Sequence, residues 1–317
     1  MDFRESIRVN NRKTKLVVLS YIAIMLLVGL LADIAIRPLS NAGLLYDMKL
    51  YLSLAAIPYF TLGVLACTLI GIFIINKFGH KMMLSGSQYR ELDPTGTLSD
   101  TERQVANMVE EMAISANLGY LPRTFIMESE QMNAFAAGWN KDNALVAVTS
   151  GLLSKLTRSE VQAVIAHEVG HILHGDSKLT LYVGILANVI LTLTNIFAHV
   201  FLFSRSRNSN ANKAKMLLMV LNFVLPLITQ VLYLYLSRSR EYMADAASVQ
   251  LTGDNQAMIS ALQKISGDHQ VHDSASKLND EIYTEKYRAA AYIFNKGDSV
   301  FSTHPSIENR LKKLRGE

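Results

Sequence analysis

The sequence predicts a mainly α membrane protein, with about four hydrophobic helices carrying a soluble α+β domain. Three observations predict it. Half of the 317 residues are hydrophobic and only 18% are charged, and the mean hydropathy of +0.19 is high for a soluble globule. Four apolar stretches come near or exceed the roughly 20 residues that cross a bilayer. Between and after them, the composition returns to that of a soluble domain.

Composition also excludes some classes. The single cysteine, Cys67, rules out an intramolecular disulfide and any cysteine-based zinc site. It lies in an apolar run and reads as a small packed hydrophobe. The net charge of +4 is modest, and no compact basic stripe with interleaved aromatics is present, so no nucleic-acid partner is expected. There is no internal repeat.

Taken in order, four segments emerge. Residues 1–80 form an N-terminal transmembrane hairpin. Arg4, Arg8, Arg12, Lys13 and Lys15 precede an apolar run from Leu16 to Ala32, too long for a signal peptide and without a clear cleavage motif. A second run, from about Tyr51 to Ile75, contains Pro58 and Gly63, and Lys77, His80, Lys81 and Arg90 follow it. Basic flanks at both ends place them in the cytoplasm.

Residues 81–178 read as the first part of a soluble domain. Ser99 or Asp100 caps a helix running to about Asn117, and Gly119 stops it. Thr124–Ser129 and Ala144–Thr149 are strands by their β-branched and apolar content. Between them, Asn133, Ala134, Phe135, Ala136, Ala137 and Gly138 form a loop, or else an edge strand on which an extended peptide can pair. The small residues favour the loop. Thr157 and Glu160 then form a capping box, Leu156 and Val161 a hydrophobic staple, and the helix runs to Gly175.

Residues 179–236 form a second hydrophobic hairpin, with stretches at Leu179–Phe203 and Met216–Leu236. Asn188, Asn195, His199, Asn222, Pro226 and Gln230 interrupt them, and polar groups at that depth face other helices or a cavity. The connecting loop carries Arg205, Arg207, Lys213 and Lys215, which strict charge counting would put in the cytoplasm. The expectation is a shallow or packed hairpin. Residues 237–317 complete the soluble domain. A helix is expected through Val249 and another from about Asn255 to Ile265, then an exposed loop over 267–280 and a short basic helix near the C-terminus.

The helix begun at Thr157 carries His167-Glu168-Val169-Gly170-His171. Residues four apart lie on one helix face, one turn above each other. The imidazoles of His167 and His171 can therefore close on one metal ion, with Glu168 beside them, in reach of a water on that metal. Catalytic zinc takes three protein ligands and keeps a position open. Three residues are candidates for the third. His174 shares the face of His167, but its backbone is about 10 Å further along at 1.5 Å rise per residue. His304 lies before Pro305 on a turn. Glu241 stands on another helix with Asp245 one turn on, a carboxylate ligand plus a second carboxylate able to accept a ligand's far N–H. On residue type alone, Glu241 and Asp245 fit an ordinary solvated helix face equally well.

HEVGH followed by Gly175-Asp176, a hydrophobic hairpin, Glu241–Asp245, and Ser302-Thr303-His304-Pro305 resembles the HtpX family of bacterial membrane zinc metalloproteases, relatives of the CAAX prenyl endoproteases. Asn133–Ala136 matches that family's Asn-Ala-Phe-Ala segment, and the resemblance covers essentially the whole chain. It implies a zincin-like metalloprotease domain on the cytoplasmic side of the bacterial inner membrane. It further implies one Zn²⁺ held by His167, His171 and Glu241, and Glu168 as general acid/base. The implied substrates are misfolded or damaged membrane proteins and unfolded polypeptides. His304 is then expected to stabilise the oxyanion or to occupy the metal's open position at rest. An intramembrane zinc protease is the nearest rival, but Lys155, Arg158, Glu160, Gln162 and Asp176 surround the motif with polar groups. A membrane scaffold or transporter with a fortuitous motif is the non-enzyme rival, and would purify without stoichiometric zinc. The oligomeric state has no signature in the sequence.

Overall fold

No charged residue interrupts the chain between Leu16 and Ala32, and helix α1 runs unbroken over Phe3–Ile36. The computed structural model describes residues 3–84, 88–176, 207–275 and 305–317, with single positions between 178 and 199. It divides into a helical unit of residues 14–76 and 182–232 and a second unit of residues 1–13, 77–181 and 233–317.

In the helical unit the second apolar run is not one element. Helix α2 spans Leu44–Leu52 and α3 spans Tyr59–Leu84. Pro58 explains the break. Its ring disfavours helical backbone at Ile57 and it has no N–H to donate, yet it suits the start of the next helix. The first amides of α3 find a partner in Asp33 of α1. Asp33 Oδ1 accepts from Phe60 N at 2.9 Å, and Oδ2 accepts from Thr61 N at 2.9 Å and Thr61 Oγ1 at 2.7 Å. Val28, Leu31, Ile34, Tyr51, Ala214 and Leu218 form the core of this unit. Cys67 departs from expectation. It is exposed, on the same α3 face as exposed Ile70 and Ile74, an apolar surface of the kind a spanning helix turns to lipid.

Among the described residues, two helices are long and apolar enough to cross a bilayer, Arg12–Ile36 and Tyr59–Gly79. The stretch Leu179–Phe203 lies largely outside the described residues. Met216–Leu236 is part of a longer element: a single 44-residue helix, Ser209–Thr252, passes through Pro226 and includes the segment expected to be a separate helix after Ser237. We call it α7, with α4 (Asp100–Ser115), α5 (Ser150–Lys155) and α6 (Arg158–Leu173) preceding it.

The second unit is built on a four-stranded sheet in the order β1-β2-β4-β3. β1 is Tyr89–Leu92, β2 Arg123–Met127, β3 Ala134–Ala137 and β4 Leu145–Thr149. β2 and β4 are parallel, while β1 and β3 join antiparallel at the two edges. The segment whose small residues favoured a loop is therefore the edge strand β3. Its alanines suit a strand buried on both faces, and all four of its residues are buried. Ser99 caps α4 in a box with Glu102. Helix α6 packs against α4, β3 and α8, which spans Asn255–Ala275. Residues 267–275 are helical rather than the expected loop. The C-terminal helix α9, Ile307–Arg315, packs on α8. Val109, Val146, Val164, Ile165, Val169 and Leu262 lie in the shared core.

Candidate metal centre

The capping box at the start of α6 is more heavily built than a surface cap. Glu160 Oε2 accepts from Thr157 N at 2.7 Å, closing the box. From α8, Ser260 Oγ donates to Glu160 Oε1 at 2.6 Å and Lys264 Nζ to Oε2 at 2.8 Å. Burial alone would raise the proton affinity of Glu160, but the bonds from Lys264, Ser260 and Thr157 outweigh it and hold the carboxyl at about 2. α6 is thus fixed in place before its functional turns begin.

Nearly three turns on, α7 crosses α6 closely. A Cβ on Gly170 would lie 2.9 Å from Ala247 Cβ and 3.5 Å from Ala244 Cα, so only glycine leaves room for this crossing. Ser248 Oγ donates to Ala163 O at 2.6 Å and ties the helices again. The crossing brings Glu241 and Asp245, buried rather than on a solvated face, opposite His167 and His171.

His167 Nε2 and His171 Nε2 are 3.2 Å apart. Glu241 Oε2 lies 3.7 Å from His167 Nε2, and Glu241 Oε1 lies 3.7 Å from His171 Nε2. All three residues offer a donor atom within 4.8 Å of the others. Each imidazole has a carboxylate behind it. His167 Nδ1 is 3.0 Å from Asp245 Oδ1, off the axis of a straight hydrogen bond, and His171 Nδ1 is 3.1 Å from both oxygens of Asp176. Carboxylates at Nδ1 favour the N–H there and leave the Nε2 lone pairs facing one another. Two lone pairs at that distance repel unless a cation lies between them. Tetrahedral zinc, with Zn–N of about 2.0–2.1 Å, needs its two nitrogens roughly 3.4 Å apart. The donor set therefore fits zinc.

The electrostatics are split. Burial pushes His167 down, against the pull of Asp245. Burial also works against the charge on His171, but Asp176, Glu241 and Glu168 overcome it and raise that imidazole to about 9. A proton and a metal compete for the same ring nitrogens. Glu168 is fully buried; the backbone amide of Ala136 on β3 stands near its carboxylate and favours the charged form, but neither oxygen makes a hydrogen bond of standard geometry among the described residues. Burial, aided by Glu241 and opposed by His171, raises its carboxyl to about 8.

Two residues of this cluster went unrecognised in the sequence. The sequence gives Asp176 no role at the metal, although a Gly-Asp pair just over one turn beyond the second histidine is a usable signal. Arg310 belongs to the C-terminal helix that the sequence marks only as short and basic. It is fully buried: Nε donates to Asp245 Oδ2 at 2.9 Å, Nη2 donates to Asp245 Oδ1 at 2.6 Å, and Nη1 lies 3.5 Å from Glu241 Oε2. His174 is the C-terminal cap of α6. His304 lies outside the described residues. Asn133 precedes β3, where its Oδ1 accepts from Ala134 N at 3.0 Å. Ala134, Phe135 and Ala136 are in the strand that packs on α6.

The family model for peptidase family M48 matches residues 99–317. The chain belongs to that family. A protease HtpX homologue from Helicobacter acinonychis (strain Sheeba) is 41% identical over 318 residues, covering 99% of this chain and 98% of the relative. One from Streptococcus agalactiae serotype Ia is 35% identical over 277 residues, covering 82% and 90%. The crystal structure of S. mikatae Ste24p aligns with a TM-score of 0.48 at 20% identity, over 86% of this chain and 62% of that one. As a member of family M48, the chain is a protease, and the residues of the candidate site, His167, Glu168, His171 and Glu241, lie within the matched region.

Proposed function

We propose that this membrane-associated metalloprotease is a zinc-dependent endopeptidase that cuts misfolded or damaged membrane proteins, with its site facing the cytoplasm at the bacterial inner membrane. The observation that carries the reading is the convergence of His167 Nε2, His171 Nε2 and a Glu241 oxygen within 4.8 Å, beside a buried carboxylate that makes no hydrogen bond of standard geometry among the described residues. His167, His171 and Glu241 would hold the zinc. When bound, zinc supplies Lewis acidity toward water and the scissile carbonyl.

The remaining steps belong to the chain's own side chains. Asp176 and Asp245 keep protons at Nδ1 of the two histidines, so both present Nε2 to the metal. Arg310 holds Asp245 through two hydrogen bonds, and its charge offsets a cluster otherwise rich in buried carboxylates. Glu168 takes a proton from the attacking water on a carboxylate oxygen and returns it to the leaving amine. Its raised proton affinity suits both halves of that exchange, and a nearby divalent cation would pull it down toward the working range. β3, the last strand of the sheet, receives an extended peptide by backbone pairing. His304 is the proposed second donor to the oxyanion.

Metal removal tests the reading. Purified protein in detergent should carry about one zinc per chain, lose cleavage of an unfolded polypeptide on chelation, and regain it on adding zinc. Undiminished cleavage by metal-free protein would overturn the reading.

A further inference from the structure

The chain has a single tryptophan, and the catalytic reading makes no use of it. Trp139 sits on the turn that follows β3, and that turn is tightly built. Trp139 N and Asn140 N donate to Asn143 Oδ1 at 2.8 and 3.1 Å, while Asp142 N and Asn143 N donate to Asn140 Oδ1 at 3.0 and 3.1 Å. Gly138 enters the turn at φ +86°, where a Cβ would collide with the Asn143 carbonyl. A half-buried indole is thus displayed on a rigid mount.

Its neighbour gives it meaning. Lys178 Nζ lies 5.1 Å from the centre of the Trp139 ring, within cation–π range. Lys178 stands four positions before residue 182, where the chain passes into the helical unit (182 − 178), and directly before the apolar stretch from Leu179. The other three passages between units, at 13/14, 76/77 and 232/233, also carry cations nearby: Lys13, Lys15, Lys77 and Arg238. Basic residues flanking apolar segments mark the headgroup level of a bilayer, and tryptophan concentrates there because its ring is apolar and its N–H is polar. Lysine reaches the same layer by extending its stem.

We propose that the Trp139 turn and Lys178 form a membrane-surface contact that seats the far end of β3 in the headgroup layer of an anionic bilayer. Exposed Lys141 adds a second cation to the turn, against the single charge of Asp142. Given the reading of β3 as the substrate strand, on which this consequence rests, the peptide entering there is a segment just outside the bilayer. The site would then select juxtamembrane segments of membrane proteins over soluble ones.

Because Trp139 is the only tryptophan, its fluorescence reports on this turn alone. The full chain is reconstituted in phosphatidylcholine–phosphatidylglycerol vesicles, with lipids brominated near the headgroup or near the chain ends. Headgroup-brominated lipid should quench most of the emission, chain-end bromine less, and aqueous iodide little. Strong quenching by iodide with none from either brominated lipid overturns the proposal. Lys178→Glu should weaken the lipid quenching, more so in vesicles containing phosphatidylglycerol, while a short soluble peptide is still cut at the wild-type rate. Unchanged quenching in that variant overturns the role of Lys178. Quenching without any peptide cleavage supports the membrane contact and counts only against the catalytic reading.

Discussion

Helix α6 carries two buried glutamates eight positions apart, and they differ in nearly every physical respect. Glu160, at the first turn, accepts hydrogen bonds from Thr157, Ser260 and Lys264 and is held at about 2. Glu168, in the middle, has only the amide of Ala136 nearby, with no bond of standard geometry to either oxygen among the described residues, and is raised to about 8. Burial acts on both in the same direction, so the neighbours decide. A buried carboxylate whose lone pairs are filled fastens a helix. One whose lone pairs are left open costs stability, and such groups gather where chemistry is done. The same contrast recurs in the helical unit, where Asp33 is buried yet accepts three bonds at the start of α3.

If neighbours decide, removing a neighbour should hurt more than removing an isolated group. The largest effect is expected at Arg310. Arg310→Met would leave Asp245 and Glu241 buried without their cation, at a cost of about 3–5 kcal/mol. Thermal unfolding would show it, together with weakened zinc binding. Wild-type stability in that variant would mean that the carboxylates do not depend on Arg310.

Asp176→Asn comes next. It retains an acceptor but removes the charge behind His171, and zinc affinity should fall by about 10–100-fold. A competitive chelator titration measures this, and wild-type affinity would remove Asp176 from the account of the site.

Glu160→Gln should be smaller, about 1–3 kcal/mol for a buried hydrogen-bonded carboxylate, with catalysis per folded molecule unchanged. Its pH dependence has a definite sign. The folded-state value of about 2 lies below the usual 4.5, so the Glu160 contribution is full above 4.5 and fades as pH falls from 4.5 toward 2. The stability gap between wild type and variant should close in that window. A gap that instead widens on acidification would contradict the assignment.

The local half of this comparison was legible in the sequence. The Thr157–Glu160 box, the spacing of His167 and His171, and the strands around Phe125 and Val146 depend on residues a few positions apart. The missing half depends on distance along the chain. Arg310 on a basic helix has the same local pattern whether it faces water or two buried carboxylates 65 or more residues earlier. The small residues of β3 suit a loop as well as a strand until α6 and β4 are packed against it. A separate helix is expected after Ser237, where α7 instead runs on unbroken, and Cys67 reads as a core residue because an apolar helix reads alike whether protein or lipid surrounds it. Glu241 was ambiguous for the same reason. Gly170 resolves it by letting α7 approach α6, a contact no local pattern records.

The most direct measurement is made on Glu168→Gln, with zinc content and cleavage rate taken on one preparation. The substitution spares all three proposed ligands and removes the proton carrier. Zinc should remain at about one per chain, while cleavage falls by at least about 10²–10⁴-fold. Cleavage at the wild-type rate, with zinc in place, would contradict the role assigned to Glu168.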